Sequence, residues 1–362
     1  MSLTSRRAFL RATLALLAAG AAGCGPTPGA PAASTPVLSQ PTSGPTPPVP
    51  ATAAPTLVTR QPAGLADTTP AVTPTPVEPT VVITRQPSPS PTSGQAYIAV
   101  AYGDSVERIT RAAVAALGGI ERFVKPGNDV IIKPNICSAS YPFEYAATTN
   151  PEVVATLVKM CREAGAKRVR VMDSPFSGTD GQAYVISGIE QAVKQAGGDM
   201  ELMSRMKYQE TAIPDGRDIK KWPVYQDVLK ADVLINVPIA KTHNLAKLTL
   251  GMKNLMGVIL DRSQIHYNMG QRLADLLSLM KPSLTVVDAV RILTRGGPTG
   301  GNLDWVKKLD TVVASHDVVA ADAFAATFFG MKGDDLDYVK AAAAMKLGRK
   351  DIENIEIARI QL

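Results

Sequence analysis

The sequence predicts an α/β fold over residues 96–362, a largely parallel or mixed sheet flanked by helices. Two observations carry that expectation. Short β-rich runs alternate with amphipathic stretches along the whole region, the order expected of strand-helix-strand units. The runs are also apolar from end to end, as strands covered on both faces of a sheet must be.

The elements follow in order. YIAVAY (97–102) opens the domain as a strand, and DVIIKPN (129–135) supplies the second, in which Pro134 holds the residue before it extended. NPEVVATLVKMCREAGA (150–166) is the clearest helix: Asn150 is its N-cap, Pro151 occupies the first turn and Gly165 closes it. RVRVMDS (168–174), DVLINVP (232–238), LTVVDAV (284–290) and TVVASHD (311–317) are further strands. Residues 248–259 read as a helix whose stripe of Leu248, Met252, Leu255, Met256 and Ile259 faces the sheet, with Thr249, Lys253 and Gly257 along its flank. Asp317 reads as the N-cap of a helix that starts at Val318.

The chain before this domain is of another kind. Residues 1–24 begin with basic MSLTSRRAFLR and continue into an apolar run ending in AAGCG, the pattern of an export signal. The run is shorter than the ~20 residues that a membrane span needs. Arg6 and Arg7, with Ser5 before them and Phe9, Leu10 and Arg11 after, resemble the twin-arginine signal, a route for folded proteins. The stretch from Ala21 to Cys24 resembles a bacterial lipoprotein cleavage box, in which Cys24 becomes the acylated N-terminus; ordinary cleavage near Ala22 is the alternative. The expected address is the outer face of the cytoplasmic membrane or the cell surface, reached through an N-terminal lipid or an uncleaved signal. Residues 25–95 hold most of the 28 prolines among Thr, Ser and Ala. Such a segment buries too little apolar surface to offset its ordering entropy and is expected to be a disordered stalk.

Charge and cysteine usage narrow the function classes. Of the net +6, the first 95 residues contribute +3, five arginines against Asp67 and Glu78, which leaves a mild +3 for the domain. With 5% aromatics, this is no nucleic-acid footprint, which would want a basic stripe or stacking platforms. The three cysteines, Cys24, Cys137 and Cys161, are too few for a four-cysteine site, so no self-contained iron-sulfur cluster is expected. A metal here would be a divalent cation on oxygen and nitrogen ligands. Once Cys24 is acylated, Cys137 and Cys161 are left as the possible disulfide partners; Cys137 otherwise reads as a small core residue.

Ligands of open α/β sheets sit beyond the carboxyl ends of the strands. Polar residues crowd five such ends: Lys133-Pro134-Asn135, Asp173-Ser174-Pro175, Lys241-Thr242-His243, Asp288 and His316-Asp317. Taken in order, IIKPN, MDSP, INVPIAKTH, MKNLMG, VVDAV, GGPTGG and ASHDVVAADAFA resemble the domain of unknown function 362 family from about residue 130 to the C-terminus. The family's name leaves its chemistry open. Many members carry ferredoxin-like cysteine clusters, an association that implies a modest lean to redox chemistry with a redox partner protein; this chain lacks those cysteines, which argues against a built-in cluster.

The stretch VPIAKTHNLAKLTLGMKNLMG (237–257) concentrates the candidates. In an extended segment Lys241 and His243 face the same side, and Lys253 beside Asn254 leaves the flank of the helix toward them. Ammonium groups supply charge and donors without competing acceptors, so Lys133, Asn135, Lys241, Lys253 and Asn254 are the candidate ligands of a small anionic molecule, a carboxylate or phosphate. The alternative is that the lysines pair with carboxylates and His243 caps a turn. His243 and His266 are the candidate general acid and base, whereas His316 reads as structural. Asp173 and Asp288 are the candidate holders of a hard cation. RGGPTGG (295–301) offers Gly297 and Thr299 as a backbone cradle for an oxyanion or as a plain connection. The expected function is an exported enzyme acting on a small anion; a solute-capturing lipoprotein and a partner subunit of a redox complex are the alternatives.

Overall fold

The computed structural model describes residues 95–362. The signal and stalk expectations, Cys24 included, lie outside the described residues. β1 (Ile98–Tyr102) leads through α1 (Val106–Ala116) into β2 (Asp129–Pro134). α2 (Pro151–Glu163) begins and ends as its sequence dictates. The Asn150 side chain accepts from the N–H of Glu152, and Gly165 follows the last turn at φ 81°, a backbone conformation that favours glycine. β3 (Arg168–Val171), α3 (Asp180–Ile186), α4 (Ile189–Gln195) and β4 (Asp199–Met200) come next. A hairpin of β5 (Tyr208–Ala212) and β6 (Lys221–Tyr225) stands apart from the main sheet and runs into α5 (Gln226–Lys230).

The site-bearing segment is β7 (Val233–Val237), β8 (Ile239–His243) and β9 (Lys247–Thr249), followed by α6 (Gly251–Asn254), α7 (Arg262–Ile265) and α8 (Met269–Met280). β10 (Leu284–Leu293), β11 (Val306–Ser315), α9 (Val318–Ala325), α10 (Asp337–Ala344) and β12 (Ile357–Gln361) complete the chain.

Ten strands form one mixed sheet in the order β12-β1-β11-β10-β7-β2-β3-β4, with β8 paired to β10 and β9 to β8. β10, β7, β2, β3 and β4 are mutually parallel, so their carboxyl ends share one edge. The fully apolar strands bury both faces. Ile131 and Leu234 belong to one core layer, with Leu273, Val319 and Tyr338 of α8, α9 and α10. Val130, Ile132 and Ile235 belong to the other, with Ile109, Leu157 and Val193 of α1, α2 and α4. This two-sided burial is what the continuous apolar runs demanded. No helix among the described residues is long and apolar enough to cross a membrane.

Several sequence expectations change. The helix expected over 248–259 is divided: Lys247–Thr249 pair with β8, α6 is a single turn, and Leu255–Val258 tighten into a 3-10 turn. The expected apolar stripe is nevertheless buried at all five positions. β11 runs antiparallel to both β1 and β10, which carries His316 and Asp317 to the edge opposite the carboxyl ends of the parallel strands. There Asp317 caps α9, accepting from the N–H of Val319 and Ala320. Asp288 lies in the middle of the ten-residue β10, opposite Ile239, and not at a strand end. Cys137 and Cys161 are both free and buried, so the disulfide expected as one possibility is absent between them.

Candidate functional site

The carboxyl ends of β2, β3 and β8 open into a cavity of about 540 Å³, closed from the other side by α6, the turn after it and α7. Among the described residues four cationic side chains line it, Lys133, Lys241, Lys253 and Arg262, against one carboxylate, Asp173. His243, His266, Asn135, Asn254 and Cys137 add polar groups, while Ile136, Met256, Phe176 and Leu245 add apolar surface. Phe176 and Leu245 stand at the exposed rim.

The deepest part is a fixed polar relay. Lys133 is fully buried, and its Nζ donates to the Pro134 carbonyl at 2.7 Å, Asp173 Oδ1 at 2.7 Å and Asn254 Oδ1 at 3.0 Å. All three ammonium donors are thereby used. Asp173 Oδ2 accepts from the N–H of Ile136 at 2.6 Å. Asn254 Oδ1 also accepts from Asn135 Nδ2, and Asn254 Nδ2 donates to Asn236 Oδ1 at 2.8 Å. Asn236 sits beside Lys133 in the β2–β7 register. Burial is the main force pulling the Lys133 amine down to about 8, with Arg262 and Lys241 adding to it and Asp173 opposing. Gly257 permits this packing, because a Cβ there would come within 1.9 Å of Asp173 Oδ1 and 2.6 Å of Lys133 Nζ.

Asp322 anchors the same region from behind. Its two oxygens accept from the N–H of Gly251 at 2.6 Å and of Met252 at 2.9 Å, which fixes the start of α6 and hence the place of Lys253 and Asn254. Complete burial pushes its carboxyl up to about 7 against those two bonds.

The remaining lysines differ sharply in their partners. Lys241 Nζ donates to Asn135 Oδ1 at 2.9 Å and to the Ala147 carbonyl at 2.6 Å. Among the described residues Lys253 Nζ meets only the Met256 thioether, at 3.6 Å, a weak acceptor. Burial, then the charge of Lys241, lowers its amine to about 8. Among the described residues neither lysine pairs with a carboxylate. Arg262 gives two of its donors to the carbonyls of Pro175 and Ile259 and keeps others for the cavity.

His243 does what the alternative reading of the sequence described. Its Nδ1 accepts from the N–H of Leu245 and of Ala246, each at 3.1 Å. Two donors on Nδ1 fix the proton on Nε2. Burial first, then Lys253 and Lys241, hold the ring neutral by lowering its pKa to about 3. This arrangement suits His243 as a neutral Nε2–H donor. His266 lies at the exposed side of the cavity with its ring centroid 6.5 Å from that of His243. Burial of part of the ring, then the charge of Lys253, lowers its pKa.

The structure thus brings Lys133, Asn135, Lys241, Lys253, Asn254, His243, His266 and Asp173 to one cavity, and leaves out Asp288, Gly297 and Thr299. Asp288 is buried elsewhere, accepting from the N–H of Asn150 and Val290, and burial raises its carboxyl to about 6. With Asp173 bound to Lys133, the two carboxylates share no cation position. Among the described residues no three His, Cys, Asp or Glu side chains gather as metal ligands. Gly297 turns its N–H to Thr242 Oγ1, and the loop reaches the cavity through Pro298, whose carbonyl accepts from the Cys137 thiol at 3.3 Å. Sequence reasoning missed Arg262 as a lining cation and Asn236 and Asp322 as positioning groups. The signal for Asn236 was present, one polar residue inside the apolar run DVLINVP.

A mixed α/β domain with a cation-lined cleft beyond its parallel strands is the class that these observations define. The chain belongs to the family described as domain of unknown function (DUF362), whose model matches residues 130–327. It is 28% identical over 227 residues to the thylakoid-associated protein sll1697 of Synechocystis sp., a match covering 59% of this chain and 66% of that protein. Two solved structures show a weak similarity to the chain. The lactate racemase apoprotein from Thermoanaerobacterium thermosaccharolyticum is 12% identical with a TM-score of 0.39, over 66% of this chain and 57% of that one. A protein from Thermotoga maritima is 11% identical with a TM-score of 0.36, over 68% and 60%. The chain therefore spans less than two thirds of the length of each of these relatives.

Proposed function

We propose that this protein binds a small organic anion in the cleft, as an exported and membrane-tethered domain. The observation that carries the reading is the charge of the cavity, four cations against one carboxylate that is already committed to Lys133. Lys241, Lys253 and Arg262 retain hydrogen-bonding capacity toward a ligand, and the neutral His243 adds a donor that brings no charge. The apolar rim of Phe176 and Leu245 suits a ligand with a carbon body, which favours a carboxylate over free phosphate. Enzymatic turnover would draw on His266 as the proton-accepting imidazole. The redox expectation rests on the family resemblance, and the cleft residues carry the reading as far as anion binding and proton transfer.

Titration calorimetry on the full chain with butanoate and with inorganic phosphate tests the reading. Butanoate binds, and Lys241→Ala weakens it about tenfold to a hundredfold, the range for losing a charged hydrogen bond of about 1.5–3 kcal/mol. Affinity also falls as pH rises through about 8, where Lys253 loses its proton. Failure of butanoate to bind would remove the proposal. The tether rests on the resemblance of Ala21 to Cys24 to a lipoprotein box. Cys24→Ala should move the protein from the membrane fraction to the soluble fraction of the exporting cell, and an unchanged distribution would count against acylation.

A further inference from the structure

The three lysines of the cleft are not equivalent. Lys133 has every donor on an oxygen acceptor, and Lys241 has two. Among the described residues Lys253 has none, only a thioether at 3.6 Å. An amine needed solely to attract an anion would gain from a fixed geometry, as its two neighbours have. Lys253 is instead held at the cavity wall by the single turn of α6, whose start is pinned by Asp322, while its amine stays uncommitted.

We propose that Lys253 is a nucleophilic amine that forms an imine with a carbonyl-bearing anion, a 2-oxo acid or an aldehyde acid, seated in the cleft. The inference rests on the anion-binding reading above and specifies its ligand class. Lys241 and Arg262 take the carboxylate. The Lys253 nitrogen lone pair attacks the carbonyl carbon, the carbonyl oxygen gains a proton, and the resulting hydroxyl leaves as water while nitrogen closes the C=N bond. One amine and one carbonyl thus give one imine and one water, with no further reactant. His266, in the same cavity, is placed to carry the proton between nitrogen and the departing oxygen, and the Nε2–H of His243 is a donor to that oxygen. A lysine lowered to about 8 has, near neutral pH, a neutral fraction on the order of a hundredfold larger than an ordinary surface lysine, which is the form that attacks.

The test is reductive trapping. The full chain is incubated with 2-oxobutanoate and sodium cyanoborohydride at neutral pH, digested and mapped by mass spectrometry. The expected adduct is heavier than the unmodified peptide by the mass of the oxo acid less one oxygen atom. It falls on the peptide carrying Lys253 at least about tenfold more than on any other lysine peptide, and it disappears in Lys253→Met. Calorimetry with butanoate, which lacks the carbonyl, separates the two readings. Binding of butanoate with no preferential adduct at Lys253 overturns the imine and leaves the anion site standing. Failure of butanoate to bind together with no adduct overturns both. Because the adduct is located on the unsubstituted protein, the outcome holds even if Lys253→Met does not fold.

Discussion

Asp173→Ala should destabilise the domain by about 3–5 kcal/mol, the cost of removing one member of a buried ion pair. The Lys133–Asp173 contact is 2.7 Å long, and its side chains are 1% and 3% exposed. The substitution strands the Lys133 ammonium on the Pro134 carbonyl and Asn254 alone, and it deprives the Ile136 N–H of its acceptor. Denaturant unfolding of the full chain reads the loss as a lower midpoint at unchanged slope. Removing both charges tests the pair directly. Lys133→Met combined with Asp173→Leu should cost less than Asp173→Ala, since no uncompensated charge then remains. A loss below about 1 kcal/mol for Asp173→Ala would show that the pair is solvated in solution and free to act on a ligand.

That result bears on how the cleft is divided. Lys133 and Asp173 were legible in the sequence as polar groups at strand ends, and the rule that ligands gather there pointed to the cavity in which the structure places them. Their mutual satisfaction was not legible, because it depends on β2 and β3 lying side by side in parallel register and on a glycine at 257. The same limit explains the other differences. Asn150, Pro151 and Gly165 act locally, and the helix that they bound came out as the sequence described it. The direction of β11 and the length of β10 are set by pairing, which apolar composition does not encode, so the sequence put His316 and Asp317 at the wrong edge and put Asp288 at a strand end when it lies mid-strand. The state of His243 depends on two backbone N–H groups of its own turn, a detail that residue type and spacing leave open.

Asp322 extends the argument from position to pH. It lies in α9 and holds the start of α6, on which Lys253 and Asn254 depend. Its folded pKa of about 7 lies above its ordinary 3.8, so between those values the folded state binds the extra proton. Stability contributed through this group is therefore fully present below about 4 and is lost as pH rises toward 7. Asp322→Asn keeps a neutral side chain of the same shape at every pH, but it presents a donor where Met252 N–H needs an acceptor, and it should be less stable than the parent near pH 4. The gap should narrow as pH rises to 7, by on the order of 4 kcal/mol at most. The groups coupled to Asp322 are Asp317, whose charge raises its pKa further, and Tyr338, whose own pKa it raises. Asp317 titrates in both proteins, and Tyr338 stays protonated across this range, so the difference between parent and variant isolates Asp322. Unfolding midpoints measured at pH 4, 5, 6 and 7 decide it. A gap that stays constant would mean that the two N–H groups keep Asp322 ionised throughout, and that α6 is held by a carboxylate whose charge is stabilised in place.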